Sequence, residues 1–144
     1  MKKNILICSV IIFFVFCNIL HAQEIPKKDS LYRNIKYKTC KRLFRALKTG
    51  DVDSIKGYIS GDMYERYKVL LEQNEAYPDF LRNFYRDAEF KVSSVVRDAD
   101  EIFVDIMIDF QGGNQSTTRM RLKKEKSMAG KNIWKVNDMV NERQ

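Results

Sequence analysis

Ile-Phe-Val-Asp-Ile-Met-Ile-Asp-Phe, residues Ile102 to Phe110, alternates throughout: Ile102, Val104, Ile106, Ile108 and Phe110 fall on one side, and Phe103, Asp105, Met107 and Asp109 on the other. A repeat of two is that of a β-strand, whose successive side chains point to opposite faces. One face of this strand is wholly apolar and needs a core to cover it, while the other mixes carboxylates with Phe103 and Met107. The same alternation spreads to both sides. Phe90, Val92, Ser94 and Val96 read as the preceding strand. After Gln111-Gly112-Gly113-Asn114, a loop able to take positive φ, the chain returns with Thr118, Met120 and Leu122 inward and Arg119, Arg121 and Lys123 outward. Ala129-Gly130 makes a further turn, and Ile133 to Val140 gives a last strand with Trp134 and Val136 inward and Asp138 continuing that side. The expectation is a four-stranded antiparallel meander with one buried face.

Upstream of Phe90 the period is helical. Ser30 is placed as the N-cap of a first helix running to about Leu47, with Tyr32, Ile35, Thr39 or Cys40, Leu43 and Leu47 on its apolar stripe and Gly50 at its left-handed end. Asp51 caps a short second helix carrying Val52, Ile55 and Ile59, and Ser60-Gly61 ends it. Asp62 with Glu65 opens a third, with Met63, Tyr67, Leu70 and Leu71 inward. Pro78 fits the first turn of a fourth, which carries Phe80, Leu81, Phe84 and Tyr85. The fold class is α+β: N-terminal helices packed on a curved four-stranded sheet.

The first residues carry an address. Met1-Lys2-Lys3, the apolar run Ile5 to Leu20 and Leu20-His21-Ala22 have the form of a cleavable export signal, with the cut after Ala22. The expected organisation is residues 1–22 as signal, 23–29 as a polar leader and 30–144 as one domain. The product is exported, periplasmic or secreted, with no stable membrane span. Removing the first 22 of 144 residues leaves 122, enough for one core. Lys2 and Lys3 leave with the signal, so the charge falls from +7 to +5. Cys8 and Cys17 leave too, and Cys40 alone cannot form an intramolecular disulfide; on the apolar stripe it reads as a buried, inert thiol. His21, the one histidine, also goes, which removes histidine bases and histidine-ligated metals from consideration. Asp98, Asp100 and Glu101 share a hairpin turn without the ligand spacing of a calcium loop. No nucleotide-binding glycine pattern occurs, and neither cofactor, metal nor nucleic acid is expected.

The stretch Phe44-Arg45-Ala46-Leu47-Lys48-Thr49-Gly50-Asp51, the alternating strand Ile102 to Phe110, and Met120-Arg121-Leu122-Lys123-Lys124-Glu125 leading to Trp134-Lys135-Val136 resemble the nuclear transport factor 2-like superfamily, and within it small exported bacterial domains. The resemblance spans about residues 30 to 140 and implies a cone of helices and curved sheet that can hold a ligand. Members include isomerases, dehydratases, binding modules and association domains, and the enzymes generally place Asp, His or Tyr inside the cone. In this chain the expected inner positions of the strands are apolar except Ser94, Thr118 and Asp138.

Three functional readings follow. The first is a non-enzymatic exported domain that binds a small apolar or amphipathic ligand, or an envelope protein. Tyr58, Tyr67, Phe84, Tyr85, Phe110 and Trp134 are its pocket candidates, and Phe103 and Met107 its candidates for a homodimer through the outer sheet face. The second is a lyase or isomerase using Asp138, whose carboxyl between apolar walls would act as a base, together with a tyrosine hydroxyl. The third is attachment to an anionic envelope surface by the first helix, where residues 31–50 hold Arg33, Lys36, Lys38, Lys41, Arg42, Arg45 and Lys48 and no acid; its candidates are Arg33, Lys36, Lys41, Arg42 and Arg45. Asp105 and Asp109 are expected to pair across strands with Arg119, Arg121 or Lys123.

Overall fold

The structure, a computed structural model, describes residues 22–141. All but the last residue of the expected export signal lies outside the described residues. The chain order is β1 (Gln23–Glu24), a long helix α1 (Ser30–Thr49), α2 (Val52–Tyr58), α3 (Gly61–Glu72), α4 (Tyr77–Tyr85), β2 (Glu89–Asp98), β3 (Glu101–Phe110), β4 (Asn114–Lys126) and β5 (Asn132–Asn141). The strands form one open antiparallel sheet in the order β1-β2-β3-β4-β5. The fold is α+β as expected, with five strands among the described residues instead of four.

The extra strand comes from the segment read as a polar leader. Gln23 pairs with Arg97 and Glu24 with Val96, and the Ile25 N–H donates to Val95 O at 2.7 Å. Ile25 is buried, which gives the pairing an apolar anchor that charge counting alone overlooks. The strand stops at once because Pro26 has no N–H to donate.

Helix α1 is three pieces run together: α-helical Ser30–Asn34, a π-helical Ile35–Cys40, and α-helical Lys41–Thr49. Its cap is Asp29, whose carboxylate accepts from Leu31 N, and not the expected Ser30. In the π stretch the Lys41 N–H reaches back to Lys36 O, which inserts one residue into a turn. Thr39 and Cys40 are therefore both buried beside Ile35, where a uniform 3.6 repeat allows only one of them to be central. The Thr39 hydroxyl donates to Trp134 O at 3.0 Å and seats the helix across β5. The far end closes on Gly50 at φ +65°, as the sequence predicts. A Cβ on Gly50 would lie 2.3 Å from Pro78 O, so this glycine serves both the cap and the close approach of α4.

Ile102, Val104, Ile106, Met120, Leu122 and Val136 form the buried floor of the sheet, and Ile35, Cys40, Leu43, Ile55, Met63 and Leu81 cover it from the helices. Fully burying each such side chain is worth about 1.5–3 kcal/mol. Two β-bulges shift the alternation expected at the ends of the meander. Ser93 is extra on β2, so Val95 turns inward while Ser94 and Val96 turn out. Asn137 is extra on β5: Val136 faces Leu122, Asp138 faces Arg121, and Met139 instead of Asp138 continues the inner side. One unpaired residue flips every later side chain, a shift that a repeat of two cannot anticipate.

Helix placement also corrects the expected inner faces. Ser60 is the N-cap of α3, accepting from Met63 N at 3.1 Å, in place of Asp62. Only Met63 and Leu71 of its expected inner residues are buried; Leu70 and Tyr67 are exposed. On α4 only Leu81 is buried, and Phe80 (55 % exposed) and Phe84 (51 %) point outward.

Candidate functional site

An open groove of about 990 Å³ lies between the exposed flank of α1 and the start of β2. Helical spacing builds one wall: Tyr37, Lys41, Phe44, Arg45 and Lys48 recur every three or four residues, with Lys36 and Arg42 beside them. The strand supplies Glu89, Phe90, Lys91 and Val92. The floor is apolar, with the Phe44 and Phe90 rings stacked at 4.3 Å between centroids and 10° between planes. At one end Lys48 Nζ donates to Ala88 O at 2.9 Å and ties the helix to the strand. At the other, Lys36 and Lys41 lie over the Tyr37 ring at 5.4 and 5.9 Å.

Six cations, Lys36, Lys41, Arg42, Arg45, Lys48 and Lys91, line this groove against the single acid Glu89. None of the six is in an ion pair among the described residues, whereas Arg119, Lys123 and Arg66 are. Arg119 reaches Asp105 at 2.6 and 3.1 Å, Lys123 reaches Asp62 at 3.0 Å, and Arg66 reaches Asp138 at 3.3 Å. Positive charge left uncompensated around an apolar floor is suited to a ligand that carries both negative charge and a nonpolar part.

No family model, curated protein or solved structure matches the chain.

A second hollow of about 200 Å³ lies between the helices and the sheet, bounded by Leu43, Ile59, Leu71, Tyr67, Tyr85 and Met139. Of the expected pocket residues it gathers Tyr67 and Tyr85 only. Burial pushes the Tyr85 hydroxyl above its ordinary range, and burial followed by the neighbouring Tyr67 does the same to Tyr77. Tyr58 packs half-buried against the core. Phe84 and Phe110 meet edge-on at 5.3 Å outside the hollow, and Trp134 is half-buried under Lys124 at 5.8 Å.

Asp138 is not on an apolar wall. The β5 bulge carries it to the outer face, where Arg66 and Arg121 lie 3.3 and 3.7 Å from its carboxylate. Its carboxylate faces these two guanidiniums and is turned from the hollow. Phe103 and Met107 are half-buried on the outer face, beside Arg121 and Thr117 of β4 and Val96 and Lys91 of β2. The expected cross-strand pair forms at Asp105, which accepts from Arg119 and from Ser94 Oγ; the Arg119 hydrogen bonds, more than that of Ser94, hold its carboxyl below the usual range. Asp109 instead accepts from Gln115 at 3.4 Å. Cys40 is buried, and burial pushes its thiol up to about 12. Among the described residues no three His, Cys, Asp or Glu side chains gather as a metal cluster, and no helix is long and apolar enough to cross a membrane.

Four of the five predicted basic candidates, Lys36, Lys41, Arg42 and Arg45, do come together in the groove, and Arg33 lies outside it. Tyr37, Phe44, Lys48, Phe90 and Lys91 complete it. The α1 members were visible in the helical spacing, which places Lys48 in phase with Lys41 and Arg45. Lys91 and Phe90 come from a strand more than forty residues further on, and no local pattern links them to α1.

Proposed function

We propose that the chain is an exported, non-enzymatic binding domain whose groove between α1 and β2 takes a ligand or partner combining negative charge with an apolar part. The observation that carries this reading is the set of six cations that have no ion-pair partner among the described residues, around the stacked Phe44 and Phe90 floor. The groove is concave, which suits an inserted ligand better than a flat bilayer. An ancestry among nuclear transport factor 2-like domains belongs to the same proposal; helices covering one face of an antiparallel meander, and quoted stretches that fall on α1, β3, β4 and β5, support it.

The test is a titration of the purified protein with the anionic fluorophore anilinonaphthalene sulfonate at low and high salt. Binding that weakens with salt, and by about tenfold in the Arg42→Glu/Arg45→Glu double variant, is the expected result. Binding equal in the variant and insensitive to salt would place the ligand elsewhere, the 200 Å³ hollow being the alternative site.

A further inference from the structure

The strand wall of the groove is an unfinished sheet edge. β1 covers β2 only at Val96 and Arg97, with one more hydrogen bond to Val95. Among the described residues no strand pairs with the same side of Glu89–Val92, which offers about 13 Å of edge. Backbone N–H and C=O groups along such an edge are a template for another strand, and main-chain hydrogen bonds there give affinity with little demand on sequence. The wall opposite the edge supplies that demand, since Lys41, Arg45 and Lys48 face whatever lies against Glu89–Val92.

We infer that Glu89–Val92 is completed by an extended acidic segment of another protein, which adds antiparallel or parallel to β2 as a further strand with its carboxylates toward α1. This rests on the anion-binding reading of the groove and names its partner class. A second copy of the chain is a poor occupant, because pairing two such edges would bring two basic walls together with no acid beyond Glu89 to offset them. The chain's own residues 1–21 are equally unsuited, as they hold two lysines and no acid.

The experiment uses a blocked hexapeptide alternating glutamate and valine, the same peptide N-methylated at alternate amides, and anilinonaphthalene sulfonate as the control for the groove. Calorimetry is expected to show the parent peptide binding and the N-methylated one binding about tenfold or more weakly, because methylation removes ladder donors while keeping every charge. Arg42→Glu/Arg45→Glu is expected to weaken the parent peptide as well. Equal affinity for the two peptides would overturn strand addition and leave a groove that reads charge alone. Fluorophore binding without peptide binding overturns the inference and keeps the proposed function, and binding of neither defeats both.

Discussion

The two edges of the sheet are finished differently. β5 is tied to the helices at its centre: Ile59 bridges to Val136 in parallel, the Ser60 N–H donates to Val136 O at 2.8 Å, and Ser60 Oγ donates to Asn137 Oδ1 at 2.7 Å. Arg66 adds a hydrogen bond to Asn137 O and an ion pair to Asp138. At β2 the cover stops at Val95 among the described residues, and the uncovered half faces lysines and arginines that have no ion-pair partner among them. Lysines beside an open edge discourage edge-to-edge aggregation while attracting an acidic strand. On the proposed reading, one edge serves stability and the other keeps its bonding capacity for an acidic strand.

The largest effect is expected where α3 meets β5. Ser60→Val removes the α3 cap and leaves Asn137 without its partner in a site where Ser60 is fully buried. We expect a loss of about 2–3 kcal/mol, read as a fall in Tm of about 10 °C by calorimetry. A change under about 0.5 kcal/mol would mean that the α3 entry does not hold β5.

Lys48→Met tests the point where the open edge is fixed to α1. It frees Ala88 O and should cost about 1–2 kcal/mol in urea unfolding, with weaker anion binding as a second effect. Unchanged stability would detach the groove's end from the fold.

Acid sharpens the contrast between paired and unpaired charge. The Asp105 carboxyl is held low in the folded state, mainly by Arg119. Its contribution is therefore complete above the ordinary carboxylate pKa of about 3.9 and fades as pH falls through the folded value. Asp105→Asn should narrow the difference between Tm at pH 6 and at pH 3; an unchanged difference would show that the pair contributes no acid sensitivity.

The smallest effect on stability belongs to the open groove. Arg42→Glu/Arg45→Glu should move unfolding by no more than about 0.5 kcal/mol, since these side chains have no ion-pair partner among the described residues to lose. A large destabilisation would show that the basic wall supports the fold instead of a ligand.

The same contrast marks how far the sequence could be read. β3 was legible because nine successive residues keep one alternation over a core that buries Ile102, Val104, Ile106 and Ile108. Gly50 was legible because only its backbone suits the end of α1. Asp138 and Ser94 were misplaced by single bulge residues, Asn137 and Ser93, whose effect depends on the partner strand. Two π-turn neighbours, Thr39 and Cys40, shared a site that ordinary helical spacing assigns to one. The basic wall was written in α1, but the groove exists only because Phe90 and Lys91 arrive opposite it through the fold.

Hydrogen–deuterium exchange followed by amide-resolved NMR tests the account most directly, with and without the glutamate–valine peptide. The expected result is slow exchange along β5 at Val136 in both states, and fast exchange at the amides of Glu89–Val92 that point away from β3, slowing when the peptide is added. Equal protection of both edges in the free protein, or peptide binding that leaves Glu89–Val92 unchanged, would contradict it.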